Sequence, residues 1–75
     1  MKNEQEWVSR VRYELDELST KRVKLGTFLS TDEFDSISAP KQRLLRVQFG
    51  IMGSYAEVLR ARLDNEEIAE GKFYE

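Results

Sequence analysis

The large apolar residues fall into two helical runs separated by a polar joint. Trp7, Val8, Val11, Leu15, Leu18, Leu25, Phe28 and Leu29 recur at three- and four-residue spacing, as on one face of an amphipathic helix. The second run, Pro40 to Leu63, carries a broader face. On a heptad wheel Leu44, Ile51 and Val58 form one column, and Gln48, Tyr55 and Arg62 the next. Leu45, Met52 and Leu59 follow, then Phe49, Ala56 and Leu63. These columns are adjacent, so the apolar arc spans about half the circumference, where a two-stranded seam needs only two columns.

Polar punctuation sets the boundaries. Asn3 with Glu6 reads as a capping box for the first helix. Between Ser30 and Ser38, Ser30 or Thr31 followed by Asp32 and Glu33 reads as a second N-cap, so that a short helical turn carries Phe34 and Ile37 inward. Ser38 then caps the second long helix, with Pro40 in its first turn, where a missing N–H costs nothing. Gly71 is a plausible stop. The sequence thus predicts one domain over residues 1–75. Its parts are a helix at 3–29, a connection at 30–38, a helix at 39–66 and a tail at 67–75. Helices of about 27 residues are about 40 Å long. The expected fold is an all-α, antiparallel two-helix hairpin with a short helical turn in the connection. Helix one covers only part of the arc of helix two. The hairpin is therefore expected to self-associate into a helical bundle, with Leu44, Ile51, Met52, Tyr55, Val58 and Leu59 at the oligomer interface.

Several residues break the pattern. Arg22 interrupts the column of Val8, Leu15 and Leu29. Either its stem packs while its head reaches water, or it is a buried or interfacial cation that meets a carboxylate or an anionic ligand. Gly26 weakens its helix by about 1 kcal/mol against Ala, unless it admits a second backbone. Gly50 and Gly53 lie near the column of Val47, Ser54 and Ala61. They accommodate a bulky neighbour such as Trp7 or Phe34, or they form a tight helix–helix contact across a two-fold axis. The tail aromatics Phe73 and Tyr74 are either frayed, folded back, or docked on a partner.

Composition narrows the chemistry. The 75 residues include no Cys and no His. That closes the disulfide and zinc routes to stability and rules out a nucleophile–His–acid set. No phosphate-loop or dinucleotide motif is present; Gly50-Ile51-Met52-Gly53 lies within a helical pattern. No catalytic residues, metal or cofactor are expected, and the chain reads as a binding protein and not an enzyme. A formal charge of −2, with 35% charged residues, is not the balance of a general nucleic-acid binder. No spanning apolar run is present, so no membrane partner is expected, and the lack of Cys fits a cytosolic protein. Arg10, Arg12 and Tyr13 lie near one end of helix one. In an antiparallel hairpin, Arg60 and Arg62 lie near that same end. An aromatic face beside guanidinium groups suits a nucleotide. Surface arginines paired with Glu14, Glu57 or Asp64 are the plainer reading.

Arg10-Val11, Glu14-Leu15, Leu18, Lys24-Leu25, Phe28-Leu29, Phe34, Leu44-Leu45, Gln48, Met52, Tyr55, Val58-Leu59 and Arg62-Leu63 together resemble a family of small phage- and prophage-encoded proteins. One such family is named after a crAss-like gut phage. The resemblance runs from about Arg10 to Leu63 and departs at Arg22, where an aliphatic residue is expected. More distantly, the outline is similar to the hairpin of phage sponges that counter CBASS and Thoeris immunity, oligomers that hold cyclic nucleotides between subunits. The resemblance implies a phage-type accessory protein that antagonises host defence by binding, as a homo-oligomer in the host cytoplasm. Its partner would be a cyclic nucleotide or a host defence protein, with Arg10, Arg12, Tyr13 and Arg62 as candidate ligand contacts. Two alternatives stay open: a direct protein-binding inhibitor or adaptor using the apolar face of helix two or the tail, and a coiled-coil scaffold.

Overall fold

The computed structural model describes residues 2–64. The tail at 67–75, with Gly71, Phe73 and Tyr74, lies outside the described residues, as do residues 65 and 66. The described residues form an all-α fold: α1 (Lys2–Leu29), α2 (Asp32–Ser36) and α3 (Ala39–Asp64). The two long helices pack side by side as a hairpin. Asn3 already lies within α1 and is not its cap.

The joint is built by local hydrogen bonds. The Thr31 hydroxyl caps α2 by accepting the Phe34 N–H at 3.2 Å, and it donates to the Phe28 carbonyl at 2.6 Å. It thereby ends one helix and starts the next. Asp32, Glu33 and Asp35 lie in the first turn of α2, where the helix dipole favours anions. Ser38 accepts the Lys41 N–H at 3.4 Å, and its carbonyl accepts the Gln42 N–H at 2.9 Å. The Gln42 side-chain amide donates to the carbonyls of Phe34 and Ile37, both at 3.0 Å, satisfying groups left over at the end of α2.

The core is thin. Val11, Phe34, Ala56 and Leu59 are the fully buried apolar residues among those described. Phe34 plugs the joint end, edge-on to Phe28 at 5.9 Å between ring centroids and beneath the Arg46 guanidinium at 5.0 Å. At the other end the Arg62 guanidinium lies 5.6 Å over the Trp7 ring. Tyr55 of α3 donates its hydroxyl proton to Glu14 of α1. Leu44, Val47, Ile51, Tyr55 and Val58 remain largely exposed on α3.

Candidate ligand groove

Midway along the hairpin, α1 and α3 diverge into an open groove of about 490 Å³, within the usual range of small-molecule sites. Its walls carry Ser19, Arg22 and Val23 on α1, and Ser54, Glu57 and Arg60 on α3. Gly26, Phe49 and Gly53 line it between the helices, and Gly50 lies at its outer edge.

Arg22 is the organising residue. Its guanidinium lies 3.9 Å from the centroid of the Phe49 ring, and its Nε donates to the Phe49 carbonyl at 3.0 Å. That carbonyl belongs to α3 and already faces the N–H one turn on, at Gly53. With no side chain at Gly53 the carbonyl is uncovered, and the guanidinium occupies the space. A Cβ on Gly53 would stand 2.6 Å from a terminal nitrogen of Arg22. One layer deeper, a Cβ on Gly26 would stand 3.0 Å from Cε1 of Phe49. The two glycines thus house the stacked Phe49–Arg22 pair, one on each side of the seam.

Arg22 is a half-buried interhelical cation that meets a carbonyl and a ring. A guanidinium has five N–H donors. Among the described residues only Nε of Arg22 is used, so the terminal nitrogens are free to bond a ligand in the groove. No carboxylate of the described residues pairs with Arg22 or Arg60. The groove therefore presents a stacked, orientationally fixed fork and a second exposed cation against the single anion Glu57. Such a fork matches phosphate or carboxylate oxygens.

Of the four residues singled out from sequence, Arg10 and Arg62 lie toward the Trp7 end of the hairpin on one flank of α1, and Arg12 lies on the other. Val11 faces the seam at 4% exposure. At about 100° per residue, Arg10 and Arg12 flank it on opposite sides and Tyr13 points away. Tyr13 is 68% exposed. Arg62 sits over Trp7 at the far end from the joint. The expected neighbours of the glycines also change. Trp7 lies under Arg62 and Phe34 in the joint, so Gly53 makes room for Arg22, while Gly50 faces open space. Of the six residues expected at an oligomer interface, Leu59 is 0% exposed. It is spent on the hairpin's own seam, and Met52 is half-buried there. Leu44, Ile51 and Val58 stay outward, and Tyr55, though partly exposed, reaches across to Glu14 of α1.

The comparison with known families adds identity. The model of the family described as Sequestin matches residues 5–65. The chain belongs to the Sequestin family. The chain is also 44% identical over 55 residues to the "Uncharacterized 7.5 kDa protein in denB-rIIB intergenic region" of Enterobacteria phage T4, covering 73% of the present chain and 86% of that protein. A small phage-protein family, as the resemblance implied, is what the match shows. No solved structure matches the chain. No helix among its described residues is long and apolar enough to cross a membrane.

Proposed function

We propose that this protein antagonises host defence by sequestration: it holds a cyclic-nucleotide signal in the groove around Arg22 and so withdraws it from its receptor. The family name Sequestin speaks for binding and retention, and the phage relative speaks for a role during infection. The observation that carries the reading is Arg22, fixed by a ring and a carbonyl with its terminal N–H groups left for a ligand. Because the fork is held before the ligand arrives, little side-chain entropy is lost on binding. Two cations in one groove suit a ligand with more than one phosphate. This role places the protein in the host cytoplasm and requires no catalytic step.

The test is a thermal-shift and calorimetric screen of cyclic dinucleotides, cyclic trinucleotides and cyclic ADP-ribose isomers. A true ligand at a hundred times its Kd adds about 2.7 kcal/mol, a shift of about 10 °C or more for a domain this small. Arg22→Leu is expected to abolish the shift while keeping the helical spectrum. Failure of every compound to move the melting temperature overturns the proposal.

A second reading, a direct protein-binding inhibitor, draws on the exposed apolar residues of α3. It expects Ile51→Asp to abolish capture of a specific host protein; capture that survives this change counts against it.

A further inference from the structure

The outer face of α3 has a pattern that the hairpin itself does not use. Leu44, Ile51 and Val58 are 67%, 63% and 48% exposed, and they repeat every seven residues. Val47, Ser54 and Ala61 form the adjacent column, which falls off in size along the helix. Together these columns are the a and d positions of a coiled-coil seam. On one flank of the seam Tyr55 and Arg62 are turned toward α1, at Glu14 and Trp7. The other flank is the column Arg43, Gly50, Glu57, all exposed. Its charge reverses sign about Gly50. No side chain of the described residues lies within 4 Å of where a Gly50 Cβ would stand, although a mid-helix glycine lowers helix stability against alanine.

We propose that this face docks on a second copy of the chain, α3 against α3, antiparallel about a two-fold axis near Gly50. The flanking charges decide the occupant and the direction. Antiparallel pairing that sets Arg43 against Glu57 of the second copy also sets Glu57 against Arg43 of the second copy. The same register puts Gly50 on Gly50, where the two backbones approach most closely. In parallel pairing each flank would face the opposite flank of the second copy, so Arg43 would meet Gln48 and Glu57 would meet Arg62, a side chain already engaged over Trp7. Antiparallel pairing also opposes the large column with the small one, filling the layer between the helices. An isologous contact of this kind closes at two subunits.

The docking bears on the groove. Gly50, Ser54 and Glu57 line it and also border the seam, so the second copy covers its outer lip and brings its own Arg43 to Glu57. This deepens the sequestration reading but does not depend on it, because the test is made without nucleotide.

The experiment is sedimentation equilibrium and light scattering of the full chain over a wide concentration range. A dimer is expected, and Ile51→Asp, at an exposed position, is expected to give a folded monomer. Arg43→Glu alone is expected to weaken the dimer about tenfold or more, and adding Glu57→Arg to restore it. Because the chain has no native cysteine, Arg43→Cys mixed with Glu57→Cys should form a disulfide-linked pair that neither protein forms alone. A monomer throughout, a larger assembly, a dimer indifferent to both Ile51→Asp and the charge swap, or self-crosslinking of each cysteine variant overturns the proposal.

Discussion

Arg22 lies in space that a side chain at Gly53 would occupy: a Cβ there would stand 2.6 Å from its terminal nitrogen and 2.9 Å from its central carbon. Gly53→Ala therefore opposes two effects. Alanine raises helix stability by about 1 kcal/mol. Displacing the guanidinium forfeits a hydrogen bond of about 1 kcal/mol and a cation–π contact of about 0.5–1 kcal/mol. The expected outcome is a change in unfolding free energy within about 1 kcal/mol of zero by urea titration. Calorimetry on the same variant should nevertheless show loss of groove binding. Intact ligand affinity in Gly53→Ala would show that Arg22 is not the anchor.

The other two described helix glycines on the seam and groove divide cleanly. A Cβ on Gly26 meets the Phe49 ring at 3.0 Å, and that ring is pinned from its other side by Arg22. Overpacking of about 1–3 kcal/mol then offsets or exceeds the helix gain, so Gly26→Ala should leave stability unchanged or lower. Gly50 has open space around it. In dilute solution Gly50→Ala should stabilise the hairpin by about 1 kcal/mol. At high concentration the added methyl stands at the proposed two-fold contact, and the gain in melting temperature should shrink or reverse. Melting curves of both variants at two concentrations separate these expectations.

Much of the fold can be read from residue spacing and punctuation. Trp7 through Leu29 and Leu44 through Leu63 keep helical periods because each helix buries a face, and Thr31 with Phe34 marks the joint because its hydroxyl has a fixed local partner. The groove is less legible. Arg22 looks like an interruption of its column until the register of the hairpin sets it opposite Phe49 and Gly53, and single-chain periodicity does not fix that register. A helical wheel divides the group of Arg10, Arg12 and Tyr13. Arg10 and Tyr13, three residues apart, lie on one flank, but Arg12 is about 200° from Arg10 and faces the other way. Leu59 and Ile51 both lie on the broad arc of α3, and only packing against α1 decides which is inside.

That division is measurable. Leu59 is fully buried and Ile51 is 63% exposed. Leu59→Ala should cost about 2–5 kcal/mol, a large share of the stability of so small a domain. Ile51→Ala should stay within about 0.5 kcal/mol in dilute solution. Equal costs for the two, by chemical denaturation at low micromolar concentration, would mean that α3 presents a different face to α1.

Tyr55 links the helices through a group that titrates in alkali. Its hydroxyl donates to Glu14, and that hydrogen bond, with lesser contributions from desolvation and the Glu14 charge, raises its pKa above the usual tyrosine value; Arg62 pulls the other way. The folded state therefore holds the proton more tightly than the unfolded chain does. The stabilisation is fully present below the ordinary tyrosine pKa of about 10. It is lost as pH rises through that value and then through the raised one. Tyr55→Phe lacks the link at every pH. The wild-type chain should melt higher than Tyr55→Phe at pH 7, and the gap should close as pH rises past about 10. Glu14→Gln replaces the carboxylate acceptor by a weaker neutral one and removes its charge, so the Tyr55 titration, followed spectrophotometrically, should shift toward lower pH. A wild-type advantage that persists or grows in alkali would assign the effect of Tyr55 to packing of its ring and not to the Glu14 hydrogen bond.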